Sequence, residues 1–325
     1  MYKLFKALRI LTPQRIRVIL GARYRNRKRN KGIILTNSAE ALATALRASL
    51  RANGHGIQSN KPTSDPFEIL LLCKAEDFYI LEVNLTHIIK NISSDCQKIN
   101  VIVDKHSYRL KEIADSHAWK HLRIIEESEF KSEISRLDEF IALYNPSRQA
   151  WIRQQCLKTY FVGQSQLPIL IIDSDTFLKT GYNPISQGVQ LLLAGNDYHY
   201  PYSRHIEKFL AIKPIGLSFV HHIQLQQPKI VRKIYGEDVI IGLKRWLNTG
   251  VSTAEYSPIS EFQTYGDYLL QHQPENVRLY FHIHHLQDAR EFKSNLSQGM
   301  EIALGNHYGK CDCEVITLAN KHLTV

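Results

Sequence analysis

The chain has 325 residues, of which 44% are hydrophobic and 22% charged. That mixture belongs to a globular protein and excludes a collagenous, fibrous or wholly disordered one. The charge is uneven: residues 1–31 carry eleven Lys or Arg and no Asp or Glu, which leaves 30 basic against 31 acidic residues in the body. The basic excess is therefore the property of one segment, and such a segment seeks phosphate on anionic lipid or on nucleic acid.

Residues 1–31 read as a basic amphipathic arm. Leu4, Leu8 and Leu11 share one helical face, Pro13 breaks the pattern, and Ile16, Ile19 and Leu20 share a second face. A helix lying in a membrane surface has this pattern; so does a solvated arm packing one stripe on its own domain. Residues 32–65 form a small βα unit and linker. Ile33 to Leu35 predicts a short strand, Ser38 caps a helix that ends near Gly54, and a Gly-, Ser-, Asn- and Pro-rich stretch reaches Pro66.

From Pro66 strands and helices alternate. Strands are expected at 67–73, 100–103, 122–125, 167–172, 189–193 and 216–223. Helices are expected at 77–87, 107–117, 133–143, from 145 through 160, and at 238–247, 259–272 and 288–304. Such alternation predicts βαβ units and a mainly parallel sheet covered by helices, in one α/β domain over residues 66–325.

Five scattered cysteines, Cys73, Cys96, Cys156, Cys311 and Cys313, make no disulfide framework. Cys311 and Cys313 lack a second pair at zinc-site spacing. A reducing cytoplasm is expected. No apolar run is long enough to span a membrane. The triplets beginning at Asn84 and Asn91 match the N-glycosylation pattern, which means nothing in a cytoplasmic protein.

Asp173-Ser174-Asp175 is the strongest chemical signal. The pair follows the buried run Leu167 to Ile172, so it emerges at a strand's carboxyl end, where open α/β sheets bind ligands. Two carboxylates there repel each other unless a cation joins them, and Mg²⁺ or Mn²⁺ is the hard cation that oxygen ligands and a diphosphate select. The plain alternative is two residues capping a turn.

Four segments together carry a family resemblance: Trp151 to Lys158, Ile171 to Phe177, Phe219 to His222, and Ser260 to Gly266. In order and spacing, residues from about 67 to 270 resemble the GT-A-type glycosyltransferases of bacterial surface-polysaccharide (capsule or lipopolysaccharide) biosynthesis. The resemblance implies transfer of a sugar from a nucleotide-diphosphate donor to a hydroxyl of a glycan or lipid-linked acceptor. It implies Mn²⁺ or Mg²⁺ on Asp173 and Asp175, completed by a late histidine. Both His221 and His222 are expected on a strand, whose adjacent residues point to opposite faces, so only one of the two can reach the metal; His222 is the choice, with His221 as the alternative.

Lys158, with Gln155 on the same helix face, is a candidate for a phosphate or sugar hydroxyl, and each also reads as an ordinary helix residue. Glu261 is the candidate base for an inverting transfer, with Glu255 and Asp267 in reserve; a glutamate in a first helical turn also suits the helix dipole. Asp77 is a nucleotide contact by position, or a helix N-cap. His282, His284 and His285 lack an accompanying carboxylate and read as structural. The expected location is peripheral, on the inner face of the bacterial cell membrane. Two other classes compete: a metal-dependent nucleic-acid phosphodiesterase with a basic arm, and an inactive membrane-tethered assembly subunit. A near-neutral body without a basic stripe beside the acids tells against nucleic acid.

Overall fold

The computed structural model describes residues 65–117, 119, 121–174, 176–178, 182–194, 199–214, 217–253, 256–281 and 315–317. Outside these lie the arm, nearly all of the 32–65 unit, Asp175, Glu255, the three clustered histidines from 282 to 285, the helix expected at 288–304, and Cys311 and Cys313.

In chain order the strands and longer helices are β1 (Phe67–Cys73), α1 (Phe78–Asn91), β2 (Cys96–Val103), α2 (Ser107–Ser116), β3 (Leu122–Glu126), α3 (Pro146–Gln164) and β4 (Ile169–Ile172). They continue through β5 (Thr176–Leu178), β6 (Ile185–Ser186), β7 (Val189–Ala194), α4 (Tyr200–Leu210), β8 (Ile223–Gln226), α5 (Pro228–Tyr235) and α6 (Val239–Val251). Last come α7 (Glu261–His272), β9 (Val277–Phe281) and β10 (Val315–Thr317).

The main sheet has the order β3-β2-β1-β4-β8. Its first four strands are parallel, and β8 joins β4 antiparallel. Both faces are covered, which is why β1 and β4 read as continuous apolar runs rather than alternating ones. Leu70, Leu72, Ile169 and Ile171 face a core shared with Trp246, Leu243 and Phe262 on the α3, α5, α6 and α7 side. Ile69, Leu71, Leu170 and Ile172 face the other way, onto Phe78, Leu81, Leu85 and Ile88 of α1. The expected mixed α/β architecture with a mostly parallel, helix-covered sheet is the one observed. A smaller sheet, β6-β7-β9, flanks it, and β5 pairs antiparallel with β10.

The structure departs from the expected elements in several places, the short strands β5, β6, β9 and β10 among them. The single helix expected at 133–143 is two short α segments, Lys131–Ile134 and Asp138–Ile141, joined by a 3₁₀ turn. Ile134 and Leu137 lie three apart, the 3₁₀ repeat, whereas Leu137 and Ile141 lie four apart, so one buried face survives the change. The strand expected at 216–223 begins only at Ile223. The apolar residues before it are buried without being a strand. The Gln263 side chain of α7 takes the place of a neighbouring strand, accepting from the Phe219 N–H at 2.9 Å and donating to the Leu217 carbonyl at 2.9 Å. Helices α4 and α5 went unpredicted, although Pro201 and Pro228 in their first turns and Gly236 after α5 are ordinary start and stop signals.

Candidate active site

Strands β2 and β3 lie on one side of β1 and β4 on the other, so the chain reverses direction across the sheet between β1 and β4. Such a reversal opens a crevice at the carboxyl ends of the two strands. Two adjoining cavities of about 240 and 360 Å³ occupy that place. Leu72, Asp77, Trp151, Gln154 and Ser174 wall both. The smaller adds Lys158, Asp173, His221, His222 and Glu261; the larger adds Lys74, Asp104, Glu127, Ser147 and Arg153.

Local sequence delivers each side chain. Asn145 caps α3 by accepting from the Ser147 N–H at 3.0 Å, and Pro146 starts the helix. Trp151, Gln154 and Lys158 then fall on one helical face, pointing into the crevice. Asp173 is the first residue beyond β4. Its N–H donates to the His222 carbonyl at 2.9 Å, and its own carbonyl accepts from Thr176 at 3.0 Å. Ser260 caps α7 through the Gln263 N–H at 3.2 Å, which sets Glu261 in the first turn. Gln155 accepts from the Glu261 N–H at 3.0 Å.

These residues form a line in which Lys158 stands between two carboxylates and a histidine ends the row. Lys158 Nζ stands 3.6 Å from Glu261 Oε1 and 2.9 Å from Asp173 Oδ1; His222 Nδ1 stands 3.1 Å from Asp173 Oδ2. The Lys158 and Glu261 side chains are each 6% exposed, and that of Asp173 31%. Burial disfavours the charged form of Lys158, but the two carboxylates outweigh burial and hold its proton more tightly than usual. Burial also works against ionised Asp173, yet the Lys158 charge and the His222 contact win, leaving its carboxyl well below the ordinary range. Glu261 goes the opposite way: burial, helped by the nearby Asp173 charge, raises its proton affinity despite Lys158 and the N–H groups at the start of α7.

Asp77, Lys158, Asp173, His222 and Glu261 all reach the smaller cavity, from five separate stretches of chain. Gln155 does not line either cavity; its neighbour Gln154 lines both. Helical spacing puts Gln155 near Lys158, but its side chain is buried against the start of α7 instead. Asp267 is fully buried and accepts from Gln263 Nε2 at 2.8 Å, away from the cavity linings. The opposite-face argument for the histidines does not apply, because residues 217–222 are not a strand and both histidines line the cavity. Among the described residues no three His, Cys, Asp or Glu side chains converge as a metal site. Asp173 and His222 make a pair, and Asp175, the third expected ligand, lies outside those residues. Asp104 and Gln154 had not been singled out from sequence; the place of Asp104 just beyond β2 was the available signal.

No known protein family and no curated protein matches the sequence. Solved structures do resemble it at low identity. Mouse xyloside xylosyltransferase 1 in its apo form aligns with a TM-score of 0.41 and 11% identity over 76% of this chain and 98% of that chain. The mannosyltransferase Ktr4p from S. cerevisiae aligns at 0.45 and 10% over 77% and 80%. The galactosyltransferase LgtC, solved with donor and acceptor sugar analogs, aligns at 0.38 and 12% over 65% and 72%.

Proposed function

We propose that this chain is a GT-A-type, metal-dependent glycosyltransferase that moves a sugar from a nucleotide diphosphate to a hydroxyl of a glycan or lipid-linked acceptor. The observation that carries the reading is the two-lobed crevice at the β1–β4 switch point, with Lys158, Asp173, His222 and Glu261 gathered in its smaller lobe. A nucleotide sugar is itself bipartite. Its nucleoside suits the larger lobe, where Asp77 and Asp104 offer acceptors to ribose hydroxyls and base N–H groups. Its sugar suits the smaller lobe, with the diphosphate at the junction beside Ser174.

The donor set fits the implied cation. A carboxylate oxygen on Asp173 beside a His222 imidazole suits a hard-to-borderline divalent ion such as Mn²⁺, and Asp175 is the expected third ligand. Such an ion, when bound, neutralises charge on a leaving diphosphate. Lys158 keeps its proton and brings a fixed cation to the same lobe. Glu261 takes the proton from the acceptor hydroxyl while that oxygen attacks the anomeric carbon, which makes the transfer inverting. Its raised proton affinity strengthens it as a base. Gln155 does not touch substrate; it fixes the backbone of Glu261.

The test is a thermal-shift screen with UDP, GDP, CDP and ADP, with and without Mn²⁺. A nucleotide that binds only the native state raises the melting temperature. At least one should do so, more strongly with Mn²⁺, and Asp173→Asn and Asp175→Ala should abolish the metal-dependent part. Equal Mn²⁺-dependent affinity in Asp173→Asn and the natural protein rejects the reading.

A further inference from the structure

Helix α1 does more than cover the sheet. After Asp173 the chain leaves β4 and continues into the short β5, yet a carboxylate that serves a diphosphate must be placed to within about half an ångström. Two asparagines of α1 meet that segment. The Asn84 side-chain amide donates to the Ser174 carbonyl, immediately beyond Asp173. The Asn91 amide donates to the Leu178 carbonyl at 2.6 Å. The two lie seven residues apart, two helical turns, and so share one face. The hold continues past β5: the Tyr182 N–H donates to the Asn91 carbonyl at 2.9 Å, and the Ser93 N–H to the Tyr182 carbonyl at 3.2 Å.

Asn84 is an expensive residue in this place. It is fully buried, and among the described residues its Oδ1 has no hydrogen-bond partner. An unsatisfied buried acceptor destabilises a fold, and a leucine would pack without that cost. Residues that break local economy in this way mark functional places. The glycosylation pattern around Asn84 has no bearing on the folded chain, because the side chain is enclosed and its amide engaged.

We infer that Asn84 and Asn91 are positioning residues for donor binding, which hold Ser174 and Leu178 onto α1 and so set the direction in which the chain leaves β4 after Asp173. Asp77, the residue before α1, walls both cavities. One helix therefore ties the nucleoside end of the crevice to the acid end. The inference rests on the glycosyltransferase reading for its ligand, but the clamp itself is a claim about this chain alone.

The experiment uses the full chain with Asn84→Leu and Asn91→Leu, and Asn84→Ser as a milder variant should Asn84→Leu not fold. Three quantities are read: the ligand-free melting temperature, Mn²⁺-dependent affinity for whichever of UDP, GDP, CDP or ADP the natural protein binds, and hydrogen exchange at the amides of residues 176–178. Asn84→Leu should keep a ligand-free melting temperature within a few degrees of the natural protein. Its Mn²⁺-dependent nucleotide affinity should fall tenfold or more, with exchange at 176–178 at least tenfold faster. A residue that merely supports the fold would lower the melting temperature and leave those two readings in proportion to it. Unchanged exchange at 176–178 in every variant that folds overturns the clamp. If the natural protein binds none of the nucleotides, the functional reading fails instead, and the exchange data still decide whether the clamp exists. Faster exchange with unchanged nucleotide affinity keeps the clamp but overturns its role in donor binding.

Discussion

Lys158 is one buried cation serving two acids, and the energetics of the site follow from that sharing. Lys158→Met strands Glu261 in the core, with the Asp173 charge nearby and no cation between them. Removing one partner of a buried pair costs about 3–5 kcal/mol. Glu261→Gln should be milder to the fold, because Lys158 keeps its closer ion pair with Asp173 at 2.9 Å. The two changes share a contact, so their effects should not add: the double variant is expected to be more stable than the sum of the singles predicts. Denaturant melts of the three proteins check this. Turnover separates the chemistry from the fold. Glu261→Gln should retain donor affinity and lose about a hundredfold in rate. Loss of donor affinity at an intact rate would make Glu261 a binding residue. Sequence made Asp173, Lys158, His222 and Glu261 legible because each sits at a readable landmark: a strand end, a helix face, the residues before β8, a capped first turn. It misjudged Gln155, because spacing fixes which residues share a helix face but not what that face meets. In this fold α3 meets both the crevice and α7.

At the scale of elements, the contact between α4 and α6 turns on His205. The ring stacks on Phe209 with centroids 5.7 Å apart and meets Trp246 edge-on at 5.6 Å. Nε2 lies 2.9 Å from the Trp246 carbonyl, which can only accept, so Nε2 carries the proton. Nδ1 is buried with no partner among the described residues, and protonating it would bury a charge and an unmatched donor. Burial accordingly pushes the His205 pKa down, from 6.5 to about 4. In the unfolded chain it titrates near 6.5. Between those values the unfolded state holds more protons, so stability rises with pH. The contribution is fully present above pH 6.5 and is lost as pH falls toward 4, amounting to about 3 kcal/mol. Chemical denaturation at pH 7 and pH 4.5 should show the loss, and His205→Phe should remove most of it. An equal pH dependence in both proteins would mean that other groups govern acid sensitivity. The sequence carried no warning of this contact, since α4 went unpredicted. Elements with continuous apolar runs, β1 and β4, were legible because burial on both faces leaves one pattern. Strand β8 was displaced by several residues because its glutamines look exposed. In fact Gln224 and Gln226 are buried, with Gln226 donating to Gln224 at 2.9 Å and Gln224 to the Phe262 carbonyl at 3.1 Å. Side chains that satisfy one another inside a core are invisible to hydrophobic patterning.

At the scale of the whole molecule, charge separates the arm from the body. Residues 1–31 hold eleven basic residues and no acidic ones, while the remainder is close to neutral. Among the described residues no helix is long and apolar enough to cross a membrane. Under the proposed function a lipid-linked acceptor would bring the protein to a bilayer, and residues 1–31 have the composition to bind one. Anionic lipid attracts such a segment by about 1 kcal/mol per basic residue near the surface, and salt weakens the attraction. Insertion of the segment's Leu and Ile side chains into the bilayer would add an apolar contribution that salt does not weaken. The full chain is therefore expected to cosediment with vesicles containing anionic lipid, less so at high salt but not to zero, whereas a chain starting at Gly32 should stay in solution. The shortened chain should still bind nucleotide, because every residue placed in the crevice lies beyond residue 65. Its activity should fall on lipid-linked acceptors and remain on soluble ones, which separates delivery to the surface from catalysis. Should the full chain ignore anionic vesicles and instead bind DNA with a steep salt dependence, the arm serves nucleic acid and the membrane assignment fails.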